Sequence, residues 1–113
     1  PLAANNLDEE FIFKLNNLIN DNISLSSLNV KFLTEQMGMS RTPLFTKLKA
    51  LTNMGINDYI KIIRIERATQ LLATTTLNIA EVSDAVGLDS PKYFSTLFKQ
   101  VKGITPTQFR ESQ

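Results

Sequence analysis

A pattern of about 50 residues occurs twice in this chain of 113 residues. The segment Leu28-Asn29-Val30 returns 49 positions later as Leu77-Asn78-Ile79, and Gly38 returns at the same offset as Gly87. One additional residue, Asp89, then lengthens the offset to 50. The pairs at the longer offset are Ser40 and Ser90, Leu44 and Phe94, Leu48 and Phe98, Lys49 and Lys99, and Tyr59 and Phe109. Such self-similarity indicates one supersecondary unit that is used twice.

The first copy predicts two helices joined by a glycine turn. Asn29 is a favourable N-cap for a helix over 30–37. Gly38 suits the position after a helix that needs a positive φ angle. Ser40 is predicted to cap a second helix within 40–52, and its apolar stripe is Leu44, Leu48 and Leu51.

The second copy predicts the same arrangement. Asn78 and Glu81 form a capping-box pattern before a helix over 79–86, and Gly87 supplies the turn. Ser90 followed by Pro91 is typical of the start of a helix, here within 90–102. Thr105-Pro106 begins a short last helix, whose Phe109 should pack back onto this unit.

Two longer helices are predicted outside the repeated pattern. A stripe of Leu7, Phe11, Leu15, Leu18 and Ile19 predicts a helix over 7–20. Residues 56–73 have apolar side chains all around the helix axis, so we expect this helix to be buried on all sides and to link the two units. The expected fold is all-α, with two helix-turn-helix subdomains, a long linker helix and about seven helices. The predicted division is an N-terminal helix and loop over 1–27, a first unit over 28–55, the linker over 56–73, and a second unit over 74–113.

Composition excludes several classes of protein. The chain has no cysteine and no histidine, so disulfides, ordinary zinc sites and most catalytic triads lack their usual parts. No carboxylate pair lies in an apolar setting that would adjust a catalytic pKa. No apolar segment approaches the roughly 20 residues that span a bilayer. We therefore expect no enzyme, cofactor, metal or membrane contact. The first residue is Pro1, which suggests either a piece of a longer polypeptide or a processed product.

Charge is divided unevenly along the chain. Residues 1–27 have a net charge of −3, and the other 86 residues have +4. Residues 40–53 contain three basic side chains and no acidic one, and so do residues 90–103. An ordinary solvated helix face would explain either segment alone. The occurrence at matching positions in both copies favours a surface for double-stranded DNA.

A helical wheel separates the buried face of each second helix from the exposed face. With the apolar stripe inward, Thr42, Phe45, Thr46 and Lys49 lie opposite it in the first unit, and Arg41 flanks them. The corresponding exposed residues of the second unit are Lys92, Ser95, Thr96 and Lys99, flanked by Lys102. Hydroxyl and ammonium groups can bond to base edges or phosphates in the major groove.

Four positions leave alternatives open. Phe45 could contact a thymine methyl group or pack against a neighbouring helix. Lys47 lies nearer the side of its helix, where it could either contact a phosphate or make no contact. Arg64 and Arg67 on the linker helix are expected to brace Glu66, Asp58 or backbone carbonyls rather than to contact DNA.

The whole chain resembles the AraC/XylS family of bacterial transcription regulators. The resemblance rests on Gly38-Met39-Ser40-Arg41-Thr42-Pro43-Leu44, on Arg64-Ile65-Glu66-Arg67-Ala68, and on Tyr93-Phe94-Ser95 through Phe98-Lys99 to Gly103-Ile104-Thr105-Pro106. Phe11 to Leu18 and Leu48-Lys49-Ala50-Leu51-Thr52 also resemble the C-terminal output domains of hybrid two-component sensors from Bacteroidetes-type bacteria.

The resemblance implies two helix-turn-helix units that bind adjacent major grooves and activate transcription, often by contacting RNA polymerase, in the cytoplasm. The family's base-contacting positions fall on Arg41, Thr42, Phe45, Thr46, Pro91, Lys92, Ser95 and Thr96. Ser90 and the two repeated lysines, Lys49 and Lys99, complete the DNA-binding set that we expect.

Departures from the family pattern qualify this expectation. Asn53 stands where the family usually has glycine, and asparagine tolerates the left-handed conformation. Thr46 and Thr96 stand where strong DNA binders often have arginine. We therefore expect dimerisation through upstream parts of the parent protein. The competing hypothesis is a helical module that binds a partner protein.

Overall fold

The computed structural model describes residues 6–113, and all regular secondary structure within them is helical. The seven helices are α1 (Asn6–Asp21), α2 (Val30–Met37), α3 (Arg41–Thr52), α4 (Ile56–Thr74), α5 (Ile79–Ala85), α6 (Pro91–Lys102) and α7 (Pro106–Glu111). The prediction of an all-α fold with two helix-turn-helix pairs and a long linker helix is therefore confirmed. No helix among residues 6–113 has the length and apolar character needed to cross a membrane.

Local capping explains where most of these helices begin. The Asn29 side chain accepts a hydrogen bond from the Phe32 amide at 2.9 Å. Asn78 and Glu81 form a reciprocal capping box, with both bonds at 2.8 Å. Ser40 has the N-cap position of α3, but its side chain makes no capping hydrogen bond, so the prediction that it caps the helix is wrong in that respect.

Residues in the left-handed conformation end α2, α3 and α6. Gly38 ends α2 with φ 66°, and Gly103 ends α6 with φ 83°. Asn53 ends α3 with φ 61°, so asparagine takes the left-handed conformation that was expected of it. Gly87 in the second turn has φ 77°.

The contacts between residues divide the chain into two compact units. Unit 1 contains the described residues up to Asn22 together with Leu28–Ile60, and unit 2 contains Ile23–Ser27 together with Lys61–Gln113. Thus the first residues of α4 belong to unit 1 and the remainder to unit 2. The finer boundaries at 27, 55 and 73 stay a prediction.

Unit 1 has a core drawn from all of its helices. The buried side chains are Phe11, Leu15 and Ile19 of α1, Leu33 of α2, Leu44 and Leu48 of α3, and Ile56, Tyr59 and Ile60 of α4. The Tyr59 hydroxyl donates to the Asn16 side-chain oxygen, and burial raises the pKa of this phenol although that hydrogen bond opposes the rise. Leu7, which was expected on the apolar stripe of α1, is instead 69% exposed because it lies at the helix end.

Unit 2 has an aromatic core. Phe98 is fully buried and makes edge-to-face contacts with Phe94 at 5.8 Å and with Phe109 at 5.7 Å between ring centroids. The predicted packing of Phe109 is thus confirmed. Arg110 of α7 donates to the carbonyls of Leu72, Thr75 and Leu77, which fixes the last helix to the end of α4 and the segment that follows.

The linker helix α4 departs from one expectation. Ile65, Ala68 and Leu72 are buried as predicted, but Ile62, Ile63 and Leu71 are only half-buried. Asn57, Asp58, Glu66, Arg67 and Gln70 give the helix a solvent-exposed side. The prediction of burial on all sides was therefore wrong, because side chains at the edges of the apolar arc are only partly covered.

Candidate nucleic-acid interface

Helix α3 has one buried face and one exposed face. Leu44 and Leu48 are completely buried, which turns the opposite side of the helix toward solvent. That side, with the start of the helix, forms the α3 surface, defined as Arg41, Thr42, Phe45, Thr46 and Lys49. All five lie on one helix, and all except the half-buried Phe45 are exposed.

The α3 surface is cationic and rich in hydrogen-bond donors. No acidic residue occurs in α3, and Lys49 lies in its last turn. The Lys49 ammonium group donates to the Asn53 carbonyl at 3.1 Å, where it also complements the negative end of the helix dipole. This exposed bond can be exchanged for a phosphate oxygen at little cost.

Helix α6 repeats the arrangement in unit 2. Phe94 and Phe98 are fully buried and Leu97 is 7% exposed, so the opposite side faces solvent. The α6 surface is defined as Ser90, Pro91, Lys92, Ser95, Thr96 and Lys99. Ser95 is half-buried and the other five residues are exposed.

Residues at the start of α6 fix the geometry of this surface. The Ser90 hydroxyl accepts a hydrogen bond from the Tyr93 amide at 3.1 Å, and Pro91 occupies the first turn. Both predicted roles at the helix start are therefore confirmed. The Thr96 hydroxyl donates to the Lys92 carbonyl at 3.1 Å, leaving its lone pairs available as acceptors.

Lys47 has partners within its own unit that the sequence did not indicate, and its contact with a phosphate stays a prediction. Its ammonium group lies 3.3 Å from a carboxylate oxygen of Asp8 and 5.4 Å from the centre of the Phe11 ring. Both partners belong to α1. Lys47 therefore connects α3 to α1 through an ion pair and a cation–π contact, which could not be predicted from the α3 sequence alone.

Lys102 is also engaged within the protein. Its ammonium group forms an ion pair with the Glu66 carboxylate of α4, so its charge is partly neutralised. Arg67 donates to the Gln70 side-chain oxygen at 3.3 Å on the exposed side of α4. These contacts leave the α6 surface with Lys92 and Lys99 as its exposed cations.

Arg64 donates hydrogen bonds to backbone carbonyls, which is one of the alternatives that the sequence predicted. Its guanidinium group donates to Ile23 O at 2.6 Å, to Leu25 O at 3.1 Å and to Val86 O. Burial lowers the pKa of this group, and the charge of Asp89 opposes that effect.

One exposed aromatic residue was not in the predicted set. Tyr93, in the first turn of α6, is 45% exposed. Its position beside Lys92 was visible in the sequence, but the wheel assigned it to neither face.

Within residues 6–113, His, Cys, Asp and Glu side chains form no group of three suited to a metal ion.

Comparison with protein families gives one match over most of the chain. A family model described as a helix-turn-helix domain matches residues 33–112. This range begins in α2 and ends after α7, so it includes both the α3 and α6 surfaces.

Individual proteins and solved structures give consistent matches. A protein named histidine kinase P4 from Formosa agariphila is 38% identical over 109 residues, which is 96% of this chain and 8% of that protein. A solved transcriptional regulator from Chromobacterium violaceum, of the kind containing an AraC-type DNA-binding domain, superimposes with a TM-score of 0.87 at 26% identity over 96% of each chain. The C-terminal domain of AraT, a response regulator from Geobacillus stearothermophilus, gives 0.82 at 30% identity over 91% of this chain and 85% of that one.

The first curated relatives are much longer than this chain. The chain spans less than a third of the length of the first curated relatives that it matches. The similarity therefore concerns one domain of those proteins.

Proposed function

This chain belongs to the AraC-type family of helix-turn-helix transcription regulators, and we propose that it contacts DNA bases through the α3 and α6 surfaces. Sequence-specific DNA binding by a transcription regulator is the function of this domain. The finer proposal concerns which residues contact the duplex and how.

The observation that carries the proposal is the agreement between the two exposed helix faces. In each unit, the second helix of the pair buries an apolar stripe and exposes hydroxyl and ammonium groups at matching positions. Thr46 matches Thr96 and Lys49 matches Lys99, and neither α3 nor α6 contains an acidic residue. A major groove accepts an α-helix, and its phosphates attract such a surface.

The side chains of the two surfaces suit different kinds of contact with the duplex. Arg41 and Lys92 lie at the helix starts, where they can bond to guanine or to a phosphate. Thr42, Thr46, Ser95 and Thr96 have the hydroxyls that bond to base edges, and Phe45 has a ring for thymine methyl groups. Lys49 and Lys99, one to two turns further on, suit phosphate contacts that fix the register.

We further propose that α3 and α6 occupy successive major grooves. The linker helix α4 has 19 residues and no interruption. At 1.5 Å per residue it spans about 28 Å. Successive grooves on one side of a duplex lie roughly 34 Å apart, so a helical connection of this length is compatible with the proposal.

The parent protein is proposed to be a two-component regulator in which this domain supplies the DNA-binding output. The similarity to a histidine kinase and to a response-regulator domain supports that assignment. Such a parent would act in the cytoplasm, where the bacterial chromosome lies, and this domain would have no enzymatic role. Dimerisation through other parts of the parent and contact with RNA polymerase complete the proposal, because threonines at positions 46 and 96 suggest modest affinity for a single domain.

A salt titration of DNA affinity tests the interface. Specific duplexes are selected from a random pool, and binding is measured by fluorescence anisotropy between about 50 and about 200 mM salt. Lys49→Ala and Lys99→Ala should each lower the slope of log affinity against log salt by about one unit. Lys14→Ala, at an exposed lysine on α1, is the matched control and should leave the slope unchanged.

The competing function, a module that binds a partner protein, gives a different result. Apolar docking depends little on salt, so affinity for a partner would stay nearly constant over the same range. If both lysine variants retain the wild-type slope on DNA, the α3 and α6 surfaces are not the interface.

A further inference from the structure

Arg64 is a charged side chain buried within unit 2. Its exposed fraction is only 5%, and three backbone carbonyls accept hydrogen bonds from its two terminal nitrogens. The Val86 carbonyl belongs to the end of α5, and the Ile23 and Leu25 carbonyls belong to the loop between α1 and α2. One guanidinium group thus joins three segments that are distant in sequence.

The glycine of the second turn lies directly against this guanidinium group. A Cβ atom added at Gly87 would lie 1.9 Å from Arg64 Nη1 and 2.4 Å from the Ile23 carbonyl oxygen. Only three residues separate Gly87 from Pro91, the first residue of α6. The Leu88 amide donates to the Ser83 carbonyl at 2.9 Å, so the turn is also bonded to α5. The start of α6 is therefore connected to Arg64 through a short segment that is itself hydrogen-bonded to α5.

Unit 1 has no buried arginine at the equivalent position. The residue 49 positions before Arg64 is Leu15, which is also completely buried, and Phe11 and Ile19 correspond in the same way to Ile60 and Ala68. A Cβ atom added at Gly38 would meet nothing within 4 Å. An aliphatic side chain is thus sufficient for packing at this position, and the arginine in unit 2 adds a connection to the turn.

We propose that Arg64 is a positioning residue for DNA recognition, which fixes the turn before α6 and so sets base discrimination by the α6 surface. The inference rests on the proposed contact of α6 with bases. Productive contacts require placement within about 0.5 Å, and a planar guanidinium group with several donors in fixed directions can enforce it. Bases contacted by α3 should not depend on Arg64.

The test measures base preference separately for the two helices. Thr46→Ala and Thr96→Ala first identify which positions of the selected duplexes depend on α3 and which on α6. Arg64→Lys keeps the charge but replaces the planar fork by a single ammonium group. We expect it to reduce discrimination by about tenfold at the α6 positions, comparable to the loss of one base contact, and to leave the α3 positions within about twofold of the wild type.

A second pair of variants keeps the test decisive if Arg64→Lys does not fold. Gly87→Ala and Gly38→Ala both place a methyl group on a residue with positive φ, but only the first one meets Arg64. Gly87→Ala should reduce discrimination at the α6 positions, whereas Gly38→Ala should not. All comparisons use temperatures at which circular dichroism shows both proteins folded.

Each result has one interpretation. Equal losses at the α3 and α6 positions, or unchanged preference in folded Arg64→Lys and Gly87→Ala proteins, would overturn the positioning role. If instead Thr96→Ala and Lys99→Ala alter no base preference or salt slope in the wild-type background, it is the proposed function of α6 that fails, whatever Arg64 does.

Discussion

The buried polar side chains of this domain form hydrogen bonds with backbone or side-chain partners. Arg64, Arg110 and Tyr59 each reach at least one acceptor in another segment of their own unit. Among the described residues, no buried side-chain nitrogen or oxygen lacks a partner. Because an unpaired buried polar group costs about 1–3 kcal/mol, changes at these residues should have measurable effects.

The Tyr59 phenol should make stability depend on pH in the alkaline range. Burial raises the pKa of Tyr59 in the folded protein above its ordinary value of about 10. The protonated phenol therefore stabilises the fold fully below pH 10, and this contribution decreases as pH rises through the folded pKa. Urea unfolding from pH 7 to pH 11 should show a smaller alkaline loss of unfolding free energy in Tyr59→Phe than in the wild type.

Two features make the tyrosine experiment specific. At pH 7, Tyr59→Phe should lower the unfolding free energy by about 1 kcal/mol, because the hydrogen bond to Asn16 is lost. Tyr93→Phe, at a tyrosine that is 45% exposed, is the control. An identical alkaline loss in Tyr59→Phe and wild type would show that this phenol does not contribute.

Phe45 and its neighbour Leu44 separate recognition from packing. The half-buried Phe45 ring belongs to the α3 surface, whereas Leu44 is completely buried. Phe45→Ala should change which duplexes are selected while lowering the unfolding free energy by only about 1 kcal/mol, since half of the ring is already in water. Leu44→Ala should cost about 2–5 kcal/mol and leave base preference unchanged in the folded fraction. Unaltered selection by Phe45→Ala would assign the ring to the core.

At the scale of elements, the helices could be predicted because their signals are local. Asn29, Asn78 and Ser90 are followed by helices within one residue of the expected bounds. Gly38, Gly87 and Asn53 have the positive φ angles that their positions require. Caps and turns depend on a few adjacent residues, so one sequence suffices to find them.

What could not be predicted depends on packing between elements. The helical wheel placed Thr42, Thr46, Lys92 and Thr96 on exposed faces, as the structure has them. It could not identify α1 as the partner of Lys47, because the Asp8 and Phe11 contacts arise only in the folded unit. The exact acceptors of Arg64 were hidden for the same reason.

Two capping residues should differ in their contribution to stability. The exposed Asn78 makes a reciprocal capping box, whereas the exposed Ser40 makes no capping bond. Asn78→Ala should therefore lower the unfolding free energy by about 1 kcal/mol. Ser40→Ala should change it by less than about 0.5 kcal/mol. Urea denaturation of both variants measures these changes. Equal losses of unfolding free energy in the two variants would mean that the capping box does not contribute to stability.

At the scale of the whole molecule, ion pairs reduce the number of cations available to DNA. Lys47 is paired with Asp8, and Lys102 with Glu66. Of the basic residues on the proposed surfaces, Arg41 and Lys49 remain on α3, and Lys92 and Lys99 remain on α6. Four phosphate contacts would give a salt slope of about −3.6, which is shallow for a specific binder and agrees with the proposed need for a dimeric parent.

The spacing of the two contacted DNA segments provides the test for the molecule as a whole. If α3 and α6 occupy successive major grooves, as proposed, affinity should depend on the separation of the two contacted DNA segments. Inserting about five base pairs between the two segments moves one of them to the opposite side of the duplex, since a turn has about ten base pairs. Affinity should then fall to that of a duplex in which the α6 segment is scrambled. Anisotropy titrations with both duplexes provide the comparison, and the scrambled duplex measures what the α3 segment contributes alone. Retention of full affinity after the insertion would contradict the proposed placement of α3 and α6 in successive major grooves.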